Sequence, residues 1–151
     1  MDVRATLILA DYAQVAEGKL WIAGGGWSWT GHVDCSFGVG MIFEIPWDRL
    51  NEKHRFRMEL LDADGQPVNV TQSDGIEQPI SVDGEFVGGR APDHRPGTPL
   101  MMPTAMNFNG IQLQPDQRYQ WRLSINDESR EEWTLAFSTR PAPPEAQAEE
   151  G

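Results

Sequence analysis

The strongest constraint on the fold is an alternation of apolar and polar residues with a period of two. It is clearest in RYQWRLSI, residues 118–125, where four large apolar side chains alternate with polar or charged ones. HRFRMELLD (54–62) and EWTLAFST (132–139) follow the same rule. Because successive side chains of a β-strand point to opposite faces, each segment predicts a strand with one face in a core and one in water.

Five further apolar runs bring the predicted strands to about eight. They cover Val3–Tyr12, Lys19–Ala23, Phe37–Ile45, Ile80–Val87 and Met101–Phe108. The chain also contains 15 Gly and 11 Pro, which favours many turns over long helices. We therefore predict an all-β protein, a two-sheet antiparallel β-sandwich of about eight strands in Greek-key or jelly-roll order.

Turn residues predict how some of these strands are connected. Asp64-Gly65 favours a type I′ hairpin turn, because that turn needs positive φ, and Gly18 predicts a hairpin between the first two strands. Pro46 predicts the start of one short helix over residues 46–53, with two turns at most.

The segment LQPDQRYQW, residues 113–121, is similar to the tyrosine corner of Greek-key sandwiches. In that motif the tyrosine hydroxyl bonds an upstream backbone group while the ring enters the core. The pattern therefore predicts a structural role for Tyr119 and favours it over a catalytic one.

The length of 151 residues suits one domain, which we place at residues 1–140. Residues 141–151, PAPPEAQAEEG, lack apolar side chains beyond alanine and predict a disordered tail.

Charge and cysteine content exclude several classes of function. The net charge of −11 disfavours nucleic acid as a partner, because an acidic surface repels phosphates. Cys35 is the single cysteine, which excludes an intramolecular disulfide framework and a thiolate zinc cluster. The N-terminus is a poor signal peptide and no segment is apolar enough to span a membrane, so we expect a cytoplasmic protein that does not engage membranes.

Residues 20–31, LWIAGGGWSWTG, place three glycines before two tryptophans. We expect Gly24–Gly26 to form a bulge or corner, because glycine enters positive φ without steric cost. Beyond it, Trp27 and Trp29 are predicted to share one face. Burial or partial burial is favoured for both, and the alternative is an exposed platform for sugars.

The loop VGGRAPDHRPGTPL, residues 87–100, concentrates Arg90, His94 and Arg95 in an acidic protein. Such a positive spot suits a carboxylate, a phosphate or an acidic partner. The structural alternative, which we favour, is a long connection whose Arg90 pairs with a nearby carboxylate.

The remaining motifs predict no metal, no cofactor and no catalytic residues. The three histidines, His32, His54 and His94, are dispersed. His32 with Asp34 and Cys35 could in principle ligate a metal, but ordinary loop residues are favoured. No phosphate loop or nucleophile elbow is present in the sequence.

Several segments together resemble a family of uncharacterised bacterial proteins, best represented in actinobacteria. They are ADYA (10–13), GKLWIAGGGW (18–27), PW (46–47), DADGQPV (62–68), GGRAP (88–92) and LQPDQRYQW (113–121). The resemblance spans residues 3–138 and implies a compact β-sandwich without assigned catalytic residues. Where family members tend to have Gly-Arg-Pro, this chain has Arg90-Ala91-Pro92.

We expect a non-catalytic binding or assembly module that engages a protein, itself or another, through loops or a sheet edge. The first alternative is binding of a carbohydrate or small ligand through Trp27, Trp29 and Trp47. The second is an enzyme whose site combines Arg90 and His94 with nearby acids.

Overall fold

The protein is a β-sandwich, as predicted. The computed structural model describes residues 2–71 and 75–142. Their strands are β1 (Arg4–Ala16), β2 (Lys19–Gly25), β3 (Trp29–Thr30), β4 (Cys35–Ile45), β5 (Lys53–Asp62), β6 (Asn69–Thr71), β7 (Glu77–Pro79), β8 (Ser81–Val87), β9 (Leu100–Ile111), β10 (Arg118–Ile125) and β11 (Glu128–Thr139). All eight predicted runs form strands, and β3, β6 and β7 are short additions. The predicted tail falls mostly outside the described residues.

The strands form two main sheets that pack face to face. The first sheet has the order β2-β1-β4-β9 and the second β3-β11-β10-β5-β8, while β6 and β7 pair separately. Every pair is antiparallel except β3 with β11. The alternating residues of β4 and β10 supply much of the core, in which Phe37, Phe43, Trp121 and Leu123 are at most 1% exposed. The period of two was therefore a correct guide to the buried faces.

The helix predicted over 46–53 is wrong in extent. The chain forms one 3-10 turn over Trp47–Arg49 and then returns to extended backbone at Leu50. Asn51 has a φ of 67°, a left-handed conformation that a continuing helix does not allow, and β5 begins at Lys53.

The hairpin at Gly18 is confirmed. Glu17 and Gly18 both have positive φ, 54° and 70°, between the paired residues Ala16 and Lys19, as a type I′ turn requires. The turn at Asp64-Gly65 exists, but its predicted type is wrong. Only Gly65 has positive φ there, and its N–H donates to the Asp62 carbonyl at 3.1 Å.

The tyrosine corner is confirmed as well. The Tyr119 hydroxyl accepts a hydrogen bond from the backbone N–H of Gln114 at 3.0 Å. Its ring is buried and stacks on Phe137, with ring centroids 5.6 Å apart. The buried ring and the hydrogen bond from the Gln114 backbone together fix the position at which β10 enters the second sheet.

The β1–β2 hairpin bends over the outer face of the first sheet. β1 pairs with β4 up to Ala10, and beyond it pairs only with β2. We call residues 12–23 the hairpin arm. The Asn107 side chain on β9 bonds the backbone of Ala13, accepting from its N–H at 3.0 Å and donating to its carbonyl at 2.7 Å.

Two glycines of β4 make room for the hairpin arm. A Cβ at Gly38 would lie 2.7 Å from the Ala13 nitrogen, and one at Gly40 would lie 2.6 Å from the Ile22 side chain. The contact at Gly38 is with backbone, which cannot move aside easily, whereas at Gly40 the end of the Ile22 side chain would have to shift. The arm therefore replaces side chains as the cover of β4, and both glycines are buried.

The outer face of the second sheet is polar instead. Three ion pairs connect β5 to its neighbours: Lys53–Glu85 at 3.5 Å, Arg55–Asp127 at 2.8 Å and Arg57–Asp83 at 3.6 Å. All six side chains are more than half exposed. No helix of the described part is long and apolar enough to cross a membrane.

Candidate functional site

The predicted loop residues gather around Trp47. The loop over residues 88–99 joins β8 to β9 and docks on the 3-10 turn after β4. Its turns are closed by the N–H of His94, which donates to the Ala91 carbonyl at 3.0 Å, and by the N–H of Thr98, which donates to the Arg95 carbonyl at 3.2 Å. We call Trp47, Arg90, His94 and Thr98 the Trp47 cluster.

Arg90 contacts an indole ring and not a carboxylate. Its guanidinium carbon lies 4.2 Å from the centroid of the Trp47 ring, and Nη2 donates to the Trp47 carbonyl at 2.9 Å. Such cation–π contacts stabilise by about 0.5–1 kcal/mol at exposed sites. The predicted ion pair of Arg90 is not found among the described residues, so that structural alternative is wrong in its partner.

His94 lies against the same indole ring. The two ring centroids are 5.5 Å apart at an interplanar angle of 22°. Nε2 lies 2.8 Å from the Thr98 carbonyl and 3.0 Å from its hydroxyl. A carbonyl oxygen only accepts, so Nε2 carries the proton and donates it. The histidine thus holds the loop in one conformation.

Arg95 is not part of the cluster. Its side chain is exposed and forms no hydrogen bond or ion pair with residues 2–71 or 75–142. A cavity of about 460 Å³ lies beside the turn, with Pro46, Trp47, Gly97 and Pro99 as its less polar wall. The rest of its lining is Asp2, Arg4, Glu44 and Asp48. The loop thus presents Arg95 as an exposed cation without a partner among the described residues, and contributes Gly97 and Pro99 to a recess with mixed apolar and charged lining.

The prediction that Trp27 and Trp29 share one face is wrong. Trp27 is half-buried and packs edge-on against Phe37 and Phe137, with ring centroids 6.2 and 6.0 Å away. Trp29 is 57% exposed, and the Arg140 guanidinium lies 5.3 Å from its ring centroid. Burial is therefore correct for the first tryptophan and wrong for the second.

The reason for the difference is a crossing between sheets. β2 ends at Gly25 in the first sheet, whereas β3 begins at Trp29 beside β11 in the second sheet. Gly24 and Gly26 have positive φ, 61° and 88°, so the predicted corner is present. Strand alternation does not continue through a corner, and the two indoles separate.

Two of the three residues weighed as metal ligands, Asp34 and Cys35, have structural partners, and Asp34 accepts a hydrogen bond from the Gln112 amide. Cys35 is buried, and its thiol donates to the Gly31 carbonyl at 3.1 Å. Burial, and secondarily the charge of Asp34, raises the pKa of the Cys35 thiol. His54 is also buried, its Nδ1 accepting from the Asn126 amide at 3.1 Å. Within the described residues, no three of His, Cys, Asp and Glu are grouped as a metal site.

A second candidate surface is the edge of β9 that has no partner strand among the described residues, which we call the open edge. β9 has 12 residues and is the last strand of the first sheet. It lies in a run of 20 residues, 96–115, that contains no charged side chain. Met101, 56% exposed, marks the end of this strand nearest the Trp47 loop.

Sequence reasoning missed two features of these surfaces. It proposed Trp47 only as a ligand-binding ring, and it did not consider Thr98. No local signal links Trp47 to Arg90, because the contact joins residues 43 positions apart. The open edge did have a signal, which is the uncharged run itself, but strand order cannot be read from one sequence.

The chain belongs to a family of unknown function, DUF6941, whose sequence profile matches residues 5–138. This confirms the coarser part of the resemblance described above. No curated protein matches the chain.

Proposed function

We propose that this chain is a non-catalytic module of the bacterial cytoplasm that binds another protein through the loop at residues 88–99. The observation that carries the proposal is the Trp47 cluster. Twelve residues without a strand are held in place by ring stacking, a cation–π contact and bonds to backbone carbonyls. A loop fixed before binding loses less conformational entropy when a partner arrives, which raises affinity.

The bonding of the cluster favours binding over catalysis. His94 Nε2 donates its proton to Thr98, and Arg90 Nη2 donates to the Trp47 carbonyl, so both side chains hold the loop in place. A catalytic site would need a pocket that joins these residues, and the cavity beside the turn is lined by neither Arg90 nor His94. The enzyme alternative built on these two residues therefore has less support.

The surface around the cluster has the composition of an interface. The recess beside Trp47 is lined by two prolines, a glycine and the indole together with four charged residues, and protein-binding patches also combine apolar and polar groups. Arg95 is exposed on the same loop and its side chain has no hydrogen bond or ion pair with the described residues. Arginine and tryptophan are the side chains most often found to dominate binding energy.

Site-specific photo-crosslinking in the native host tests the proposal. A photoreactive amino acid at position 95 should give a discrete crosslinked species, whereas the same group at position 19, exposed on the hairpin arm, should not. Trp47→Ala should remove the species while the far-UV circular dichroism of the chain stays unchanged. Identical products from positions 95 and 19, or products that persist in Trp47→Ala, would refute binding through this loop.

The carbohydrate alternative loses support because its three tryptophans, Trp27, Trp29 and Trp47, are separated in the structure. Trp29 is the exposed one, beside a depression of about 330 Å³. Its supporting observation is a single half-exposed ring with a guanidinium at 5.3 Å. Glycans should then shift the fluorescence of the wild type but not of Trp29→Ala, and flat titrations of both would remove the idea.

A further inference from the structure

We propose that the depression beside Trp29 binds a sugar that carries one carboxylate, and that Arg118 and Arg140 recognise its charge. The inference rests on the carbohydrate alternative given above and adds the class of sugar. It uses no residue of the Trp47 cluster, so it and the binding of a protein through the loop at residues 88–99 can fail independently.

The register of the second sheet places Arg118 and Trp29 on one face. Ser138 of β11 pairs with Arg118 of β10 on one side and with Trp29 of β3 on the other. Residues that pair directly across neighbouring strands point to the same face of a sheet. Tyr119 and Phe137 alternate with these residues and are buried, so the shared face is the outer one. Neighbouring strands are about 4.8 Å apart, so the Cα atoms of Arg118 and Trp29 lie roughly 10 Å apart, within reach of two long side chains.

Arg140 brings a second guanidinium to the same ring. Its guanidinium carbon lies 5.3 Å from the centroid of the Trp29 ring. Its backbone N–H donates to the Thr30 carbonyl at 2.9 Å, which holds the end of β11 beside β3. Trp29 is still 57% exposed, so the arginine leaves ring surface open for a ligand.

Arg118 and Arg140 have no carboxylate partner in the described part of the chain. None of the ion pairs within residues 2–71 and 75–142 includes either arginine, although the chain contains 23 acidic residues. On β5, by contrast, Lys53, Arg55 and Arg57 are all ion-paired. A guanidinium without such a partner keeps free the paired N–H donors that bind a carboxylate in a bidentate manner.

The lining of the depression suits a single sugar ring. Its volume of about 330 Å³ is near the lower limit for small-ligand sites. It is lined by Ser28, Trp29, Asp116, Ser138, Thr139 and Pro141. The Thr139 hydroxyl donates to the Gln114 carbonyl at 2.6 Å, whereas the two serine hydroxyls form no hydrogen bond with the described residues. A sugar offers apolar C–H groups for the indole and hydroxyl groups for the serines.

Charge favours an acidic sugar over a neutral one. The two guanidiniums outnumber the one carboxylate of the depression, that of Asp116, which forms no ion pair with either arginine. The net charge of −11 opposes the approach of a polyanion. A ligand with a single carboxylate experiences less of this repulsion and makes its charged contacts within the site. A neutral sugar would leave both guanidiniums without an acceptor.

Isothermal titration calorimetry of the full chain at about 0.15 M ionic strength tests the inference. The ligands are galacturonic acid, its methyl ester and galactose, of which the ester keeps the ring and removes the charge. The acid should bind at least about tenfold more tightly than either neutral ligand, because only the acid forms charge-assisted hydrogen bonds. Arg118→Gln should lower the affinity for the acid towards that for the ester. Trp29→Ala should abolish the binding of all three ligands.

Arg122→Gln is the matched control. Arg122 is exposed on the same face of β10 and also lacks an ion pair within the described ranges, so its replacement should leave binding of the acid unchanged. Far-UV circular dichroism checks the folding of each variant, and Arg118→Gln carries the test alone if Trp29→Ala fails to fold.

Each other outcome overturns the assignment. Equal affinity for the acid and the ester removes the role of charge but leaves the carbohydrate alternative standing. A lack of binding by all three ligands removes both. Undiminished binding of the acid to Arg118→Gln places the ligand elsewhere. Tighter binding of adenosine monophosphate than of galacturonic acid would assign the site to nucleotides, which also combine a ring with an anion.

Discussion

The outer faces of the two sheets are built in opposite ways. On the first sheet, β4 carries Gly38 and Gly40, and the hairpin arm lies directly on their backbone. On the second sheet, β5 carries Lys53, Arg55 and Arg57, which reach across to carboxylates in water. One face is thus covered by the chain itself and the other is solvated.

The difference explains where this chain can meet a partner. A solvated face of paired charges gains little from being covered, because its ions would lose water. A face built to be covered is apolar, and the arm covers only part of it. The part that the arm leaves uncovered borders the open edge and carries Ile42 and Met101 beside the ion pair of Arg4 and Glu44. The first sheet therefore has apolar side chains that a partner could cover, whereas the second sheet has paired charges.

The largest effect should come from filling the space under the hairpin arm. Gly38→Ala places a Cβ 2.7 Å from the Ala13 nitrogen, where backbone cannot move aside easily. We expect the free energy of unfolding to fall by about 2–3 kcal/mol. Urea unfolding in dilute protein, followed by circular dichroism, measures it without a contribution from self-association.

Gly89→Ala is the control for that change. Nothing lies within 4 Å of a Cβ at Gly89, and its φ is not left-handed. Its unfolding free energy should stay within about 0.5 kcal/mol of wild type. Equal effects of the two substitutions would show that the arm does not cover β4, and the contrast between the two faces would disappear.

A smaller loss of stability should follow from removing the hydrogen bonds that hold the hairpin arm. Asn107→Ala removes both bonds to Ala13 and leaves a partly buried N–H and C=O without these partners. We expect a loss of about 1–2 kcal/mol and faster hydrogen exchange at the Ala13 amide. Gln112→Ala, which removes an amide bonded to exposed Asp34, should change neither quantity measurably. Unchanged exchange in Asn107→Ala would mean that the arm is held by its side chains alone.

The parts of this fold that were predictable from sequence are local. The Glu17-Gly18 turn follows from the cost of positive φ, and the Tyr119 corner joins residues five positions apart. Strand positions followed from alternation because one face of each strand is buried. These signals act within a few residues, so one sequence is enough to show them.

The parts that were not predictable depend on contacts across the chain. Gly38 gave no sign that the backbone of Ala13 would cover it, since a strand glycine also suits a bulge or a bend. Trp27 and Trp29 separated because the chain changes sheets between them. Arg90 contacts an indole 43 residues away in the sequence, whereas its charge alone suggested a carboxylate as its partner. Each of these outcomes requires the strand order.

The pH dependence of stability tests the buried end of β4. Burial raises the pKa of the Cys35 thiol, so the folded state favours the neutral form. Stability from this group is fully present below the ordinary thiol pKa of about 8.5 and is lost as the pH rises through the higher folded value. Wild type should therefore lose stability relative to Cys35→Ala between pH 8 and pH 10, measured by urea unfolding. Parallel curves for the two proteins would show that Cys35 is solvated like the residues of the opposite face.

The smallest effect should be on the solvated face. Arg57 and Asp83 are 57% and 71% exposed, and water screens most of their attraction. Arg57→Ala should change the unfolding free energy by no more than about 0.5 kcal/mol, with a similar value at low and high salt. A double-mutant cycle with Asp83→Ala isolates the pair from the bond between Arg57 and Ser81. A coupling energy above about 1 kcal/mol would mean that these charges stabilise the second sheet as a network. In that case the second sheet would have a cover of its own, made of paired side chains, and the hairpin arm would no longer set the two faces apart.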